Sequence, residues 1–208
     1  MKNNFSFGSL FALGLMVGLS GFPVQAQLFD GPVDRLPVEE RVALREGKTV
    51  VTGAEGKFVG KVLIEATSEA VWNVLTDYDN LYTFLPNVIS SKVLETNGNR
   101  KIVEQVSKRK IVLVDVQSRI RTENTEIDKK QIDFRLVEGD LGKLQGSWKI
   151  EPVSDYPGGE ITKVLITQEV EVLPKSGTPE GIFYDIFKGA MGDNLEAIRK
   201  EVLKRSTK

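Results

Sequence analysis

Between Phe58 and Glu65 the chain alternates, with Phe58, Gly60, Val62 and Ile64 on one face and Lys61 and Glu65 on the other, the period of a half-buried strand. The period then lengthens. Thr67 or Ser68 caps a helix, Glu69 meets the positive end of its dipole, and Val71, Trp72 and Leu75, with Tyr78 at the margin, form its apolar stripe. A second short helix or tight turn spans Tyr78 to Val88 and closes at Pro86-Asn87. Strand-like runs follow at about Ile89 to Thr96, Arg100 to Lys108, Ile111 to Thr122, Gln131 to Val137, Lys143 to Ile150 and Ile161 to Leu173. Asn97-Gly98-Asn99 and Pro157-Gly158-Gly159 mark hairpins between them. Thr178-Pro179 then supplies a cap and a first-turn proline for a long helix, whose stripe includes Ile182, Phe183, Ile186, Phe187, Met191, Leu195 and Val202. Lys200, Lys204 and Arg205 complement its C-terminal dipole. A stripe this broad needs a large partner. The order strand, two short helices, about six strands and one long helix therefore predicts an α+β fold, a curved antiparallel sheet wrapped around the last helix.

Upstream of this domain, read as residues 57–205, the chain has another character. Met1 to Ala26 carries one charge, Lys2, then an apolar stretch from Leu10 to Leu19 and small residues at Val24 and Ala26, which reads as a cleaved signal peptide. Gly14, Gly18 and Ser20 interrupt the apolar run, so it is not read as a spanning helix. The expected location is exported, in a periplasm or a thylakoid lumen. Residues 27–56 are polar and punctuated, an extension with one short helix between Pro37 and Gly47.

Composition narrows the chemistry. The 208 residues include no Cys and no His, so disulfides, thiolate nucleophiles, His-based triads and Cys- or His-ligated metals are excluded. Lys and Arg number 28 against 29 Asp and Glu, which leaves no basic surplus for a phosphate backbone, and no nucleic-acid partner is expected. No metal or cofactor is expected either.

Val71-Trp72-Asn73-Val74-Leu75-Thr76-Asp77-Tyr78-Asp79-Asn80-Leu81, with Phe84-Leu85-Pro86-Asn87-Val88, resembles the signature of the START-like SRPBCC superfamily, in its polyketide cyclase/dehydrase and coenzyme Q-binding START-domain group. Val137 to Leu141, Leu144 to Trp148 and Asn194 to Arg199 resemble later blocks of cyanobacterial and plastid members. The resemblance runs from about Val38 to Val202. It implies a helix-grip fold enclosing an apolar cavity, used by relatives for lipids, quinones, hormones or polyketides, and it carries over no invariant catalytic set.

Polar residues on apolar strand faces are the candidate site. Glu104 falls between Ile102 and Val106, Ser118 between Val116 and Ile120, and Gln168 between Ile166 and Val170; each either lines a pocket, is turned outward by a bulge, or is buried with a local partner. Glu104 is the one weak catalytic candidate, as an acid/base. Phe134 and Trp148 on adjacent strands, Phe183, Phe187 and Met191 on the long helix, and Tyr82 and Phe84 in the loop before the strands are candidate walls. Asp79 and Asn80 read as caps of the next turn, and Lys108-Arg109-Lys110 as a solvated hairpin or a contact for anionic lipid heads. The leading expectation is an exported protein that sequesters or carries an apolar small molecule, such as a lipid, prenylquinone or isoprenoid, with transient membrane contact. The alternatives are a cyclase or dehydratase using Glu104, and an assembly factor with a filled interior and a protein-binding surface.

Overall fold

The computed structural model describes residues 31–111, 114–156 and 158–207. The segment read as a signal peptide lies outside them. Chain order is α1 (Val38–Arg45), β1 (Val50–Ala54), β2 (Lys57–Ile64), α2 (Ser68–Leu75), a 3-10 helix (Tyr78–Thr83), β3 (Val88–Asn97), β4 (Arg100–Ile111), β5 (Val114–Ile127), β6 (Gln131–Gly139), β7 (Leu141–Ser154), β8 (Ile161–Pro174) and α3 (Glu180–Ser206). The eight strands form one antiparallel sheet in the order β1-β2-β8-β7-β6-β5-β4-β3. This is the helix-grip arrangement, a curved sheet closed around the long C-terminal helix.

The alternation in β2 does what its period requires: Phe58, Val62 and Ile64 are buried against the helices. Gly60 shares that face. A Cβ there would stand 2.6 Å from Leu195 Cδ1 and 2.8 Å from Met191 Cε, so the missing side chain is what lets α3 close onto the strand. The buried residues of α3, Met191, Leu195, Ile198, Glu201 and Val202, run from its middle to its C-terminal end. Arg205 fastens that end, with Nη1 donating to Asp77 Oδ2 at 2.8 Å and Nε to Glu201 Oε1 at 2.8 Å. The N-terminal part of α3 is only half-buried, so the helix presses on the sheet at one end and leaves space beneath the other. Pro179 occupies the N-cap position with no side-chain cap bond, so the helix begins one residue later than Thr178-Pro179 predicted.

The extension belongs to the sheet more than its sequence suggested. Val50–Ala54 pairs with β2 from Val50↔Lys61 to Ala54↔Lys57, so a boundary at residue 57 cuts through a hairpin. Only five residues long and containing Gly53 at φ 99°, β1 lacked a readable period. The rest of the extension covers the sheet's convex face, where Val33 and Leu44 bury against Val153 and Leu165, and Glu40 accepts from Lys61 Nζ at 2.8 Å. Thr67 caps α2 as expected, accepting from the Ala70 amide, whereas Asp79 accepts from the Val93 amide and so tethers the edge strand β3 instead of capping a turn.

Candidate ligand cavity

Beneath the raised end of α3 the structure holds two adjoining chambers. The outer one, about 560 Å³, has Ile182, Phe183 and Ile186 overhead, Ser107 and Ser118 on its floor and Pro86 at its rim. The inner one, about 210 Å³, lies between the 3-10 helix with α2 and strands β4 to β8, with Val74, Leu81, Val103, Phe134 and Trp148 among its walls. Val88, Gln105, Ile120, Leu144, Phe187 and Asn194 line both and form the neck. Phe187 is held at that neck by a stack on Phe58, centroids 5.8 Å apart, and another on Phe183, 6.0 Å apart. The outer volume falls in the range of small-molecule sites and the inner one below it, and the linings are apolar with a few polar groups, the usual composition of such sites. A third cleft, about 340 Å³, opens beside the extension between Asp34, Arg45, Asp155, Lys163 and Arg199. Apart from the exposed Glu65, its ions are matched, Arg45 to Asp34 at 2.7 Å, Lys163 to Asp155 at 2.8 Å and Arg199 to Glu196 at 2.6 Å, so it offers little unspent charge to an anionic ligand.

Of the residues singled out from sequence, Phe134, Trp148 and Gln168 line the inner chamber, Ser118 and Phe183 the outer one, and Phe187 the neck. Four do not belong. Met191 is 3 % exposed and packs over Gly60, filling core where the helix touches the sheet. Tyr82 is 48 % exposed at the surface, and Phe84 packs against the core with the Arg205 guanidinium 5.7 Å from its ring centroid. Their neighbours Leu81, in the 3-10 helix, and Leu85, just after it, line the inner chamber instead.

Glu104 is the fourth, and the most consequential correction. In β4 the inward residues are Val103, Gln105 and Ser107, paired with Thr122, Ile120 and Ser118 of β5, so Ile102, Glu104 and Val106 face out. The reading failed because the cavity wall here is the more polar face. Outside, Glu104 Oε2 accepts from Arg121 Nε at 2.7 Å and Arg119 Nη1 at 3.1 Å, and Glu138 closes a quartet by accepting from the same two arginines at 2.6 and 2.8 Å. Hydrogen bonds from Arg121 and then Arg119 hold the Glu104 carboxyl below the ordinary glutamate range. A carboxylate depressed in the folded state gives stability that is whole above its unfolded pKa and is lost as pH falls through the lower folded one. Glu104→Gln is accordingly expected to flatten the acid-side fall in melting temperature while leaving ligand uptake at the wild-type level. Lost uptake with unchanged acid sensitivity would return Glu104 to the cavity.

Sequence reasoning missed the polar groups that do face inward. Thr122 and Asn124 are buried in the inner chamber, with Asn124 Nδ2 donating to Thr122 Oγ1 at 3.0 Å. Among the described residues no side-chain hydrogen bond engages the amides of Gln105, Gln168 or Asn194. Tyr78, read as the margin of a helix stripe, reaches this chamber; it is 5 % exposed and its hydroxyl is buried without a hydrogen-bond partner. Burial first, and then the nearby Glu126 carboxylate, push its pKa well above the usual tyrosine range. The Glu126 charge is instead met by Lys101 Nζ at 2.6 Å. At neutral pH the phenol is therefore a protonated donor. The described inner lining carries no acidic or basic side chain. No cluster of three or more acidic side chains suited to a metal ion occurs among the described residues.

Comparison with known proteins agrees with this geometry. Similar solved structures include a protein from Thermus thermophilus (TM-score 0.59, 19 % identity, 73 % of this chain and 97 % of that one) and the Zhui aromatase/cyclase from Streptomyces sp. R1128 (TM-score 0.57, 13 % identity, 73 % and 93 %). A STAR-related lipid transfer protein fragment from Xanthomonas axonopodis is similar too (TM-score 0.56, 16 % identity, 74 % and 92 %). At such identities the likeness establishes the fold alone. No curated protein matches the chain significantly in sequence. Residues 64–199, about two-thirds of the chain, match one family over the strands, α2 and most of α3 that build both chambers, and the chain belongs to that family, polyketide cyclase / dehydrase and lipid transport.

Proposed function

We propose that this protein is a carrier that binds one apolar small molecule in the two-chambered cavity. The family's fold suits hydrophobic ligand binding or a cyclase role. The observation that favours the carrier is the inner lining, apolar walls with neutral amide and hydroxyl groups and, among the described residues, no ionisable acid or base other than the Tyr78 phenol. With Glu104 on the outer face, the cyclase or dehydratase alternative loses the acid/base it was built on. The assembly-factor alternative expected a filled interior, and the two chambers speak against it. Affinity comes from burial, at about 25 cal/mol per Å² of apolar surface before ordering costs. An endogenous ligand such as a lipid, prenylquinone or isoprenoid fits that chemistry. The leader pattern of Met1 to Ala26 supports action in an exported compartment, a periplasm or thylakoid lumen.

Access runs between Pro86 to Val88 and the start of α3. There Ile182 and Val116 are 61 % and 43 % exposed on the lining of the outer chamber, with Arg109 and Lys175 beside them. Both cations are paired, Lys175 with Asp140 at 3.2 Å and Arg109 with Asp193 at 3.9 Å, so it is the exposed apolar residues of this rim that suit transient contact with a bilayer. Ile182→Glu is expected to slow donor-to-acceptor vesicle transfer several-fold with little change in melting temperature, as fits a surface site; unchanged transfer would remove this face from the access route. The direct test of the carrier is organic extraction of protein recovered from the cells that make it. A stoichiometric apolar molecule is the expected result, and turnover of a bound precursor into a cyclised product would instead make the protein an enzyme.

A further inference from the structure

Three amide side chains gather where the two chambers meet. Gln105 of β4 and Asn194 of α3 line both chambers, and Gln168 of β8 lines the inner one. Gln168 pairs across the sheet with Gly60, over which Met191 and Leu195 sit, so it lies beneath the same turn of α3 as Asn194. Each of the three is half-buried, and among the described residues none has a side-chain hydrogen bond. Their polar atoms stay accessible: among the described residues, the side-chain polar atom that is both sealed and unpartnered is the Tyr78 hydroxyl. Asn124, the other amide of the inner lining, differs in being engaged with Thr122 at 3.0 Å. The charged groups of the outer lining are spent on ion pairs, Lys175 with Asp140 and Arg109 with Asp193, so these three amides hold much of the polar capacity left for a ligand. A primary amide offers two donors and an acceptor oxygen, which suits it to a carbonyl or a hydroxyl. On either side of the amides the walls are apolar, Leu81, Val103 and Phe134 inward and Ile182, Phe183 and Ile186 outward. A dry cavity of roughly 150 Å³ holds the six carbons of benzene, so by proportion the inner chamber, about 210 Å³, holds roughly eight. The outer one, about 560 Å³, holds roughly twenty.

We propose that Gln105, Asn194 and Gln168 form a polar collar that recognises an uncharged carbonyl or hydroxyl within the length of the ligand, with about eight carbons beyond it in the inner chamber and a longer apolar part in the outer one. This rests on the carrier reading and goes further, because it sets where along the ligand the polar group lies. A group at the very end of a chain cannot satisfy both spaces. With that group at the collar the inner chamber stays unfilled, and with the chain filling the chamber the group and the amides go unpaired. The three amides are then specificity residues. Two of them stand on paired strands, Gln105 opposite Ile120 and Gln168 opposite Trp148, which fixes their Cα positions before a ligand arrives.

The test offers equimolar dioctyl ketone, methyl pentadecyl ketone and heptadecane together to the intact protein and reads the bound amount of each by extraction and gas chromatography. The two ketones share one formula and differ only in where the carbonyl lies, so bulk hydrophobicity does not choose between them. Dioctyl ketone should lead its isomer by about tenfold, the scale of one or two net hydrogen bonds. Gln105→Leu and Asn194→Leu should each narrow that lead several-fold, and Asn194→Leu decides the matter if Gln105→Leu does not fold. Glu104→Gln, on the outer face of the same strand as Gln105, should keep the lead whole. Equal uptake of the two ketones, a preference for the methyl ketone, uptake of heptadecane with neither ketone, or a lead that survives in a folded collar variant overturns the collar with the carrier intact. No uptake of any of the three overturns both.

Discussion

Ile120→Trp is expected to abolish most ligand binding while leaving the fold in place. Ile120 stands at the neck and lines both chambers, paired with Gln105 across β4 and β5. An indole here projects into open volume, so the overpacking strain of about 1–3 kcal/mol seen in filled cores is largely avoided. The ligand, however, loses the inner chamber. Denying it on the order of 100 Å² of apolar contact, at about 25 cal/mol per Å², weakens binding by about 2.5 kcal/mol, roughly seventyfold. Equilibrium titration with the extracted ligand, alongside thermal unfolding, separates the two effects. Wild-type affinity in a well-folded Ile120→Trp protein would place the ligand somewhere other than these chambers.

The second large effect is on stability, where α3 packs on the sheet. Leu195 is fully buried, its Cδ1 seated over Gly60 where the sheet and α3 come closest. Leu195→Ala removes a close-packed side chain at a point where neither backbone can collapse inward, and should cost about 2–5 kcal/mol. For a chain of this size that lowers the melting temperature by roughly 5–20 °C. Phe183 on the raised end of α3 gives the contrast: it is only half-buried and lines the outer chamber, so Phe183→Ala should cost less stability and more of the ligand affinity. A Leu195→Ala protein as stable as wild type would mean that the grip of sheet on helix does not organise this fold.

These two sites also mark where the sequence was legible. Where strand and helix touch, burial and apolarity coincide, and the alternation Phe58, Gly60, Val62, Ile64 together with the stripe of α3 named the right faces. At the cavity wall the two part company. Val103, Gln105 and Ser107 point inward because a ligand chamber tolerates polar groups there, while Ile102 and Val106 flank Glu104 on the outer face among arginines. A period-two reading that ranks faces by apolarity inverts such a strand. Val170 and Ile166 kept β8 correctly faced because that strand runs on into the core, which is why Gln168 was placed correctly and Glu104 was not. Tyr82 and Phe84 failed for a related reason: in and just after a short 3-10 helix there is no long apolar period to read, and aromaticity alone did not say that Leu81 and Leu85 would be the ones facing the chamber. Tyr78 carried a weak signal, an aromatic at the edge of the α2 stripe, but its unmet hydroxyl is visible only in three dimensions.

The two chambers are expected to hold a ligand. Native mass spectrometry of the wild-type and Ile120→Trp proteins, each incubated with total membrane lipid extract, tests it most directly. The expected result is a single apolar adduct at one per chain on the wild type and its loss on the variant. Bare protein in both cases, or the same adduct on both, would contradict it.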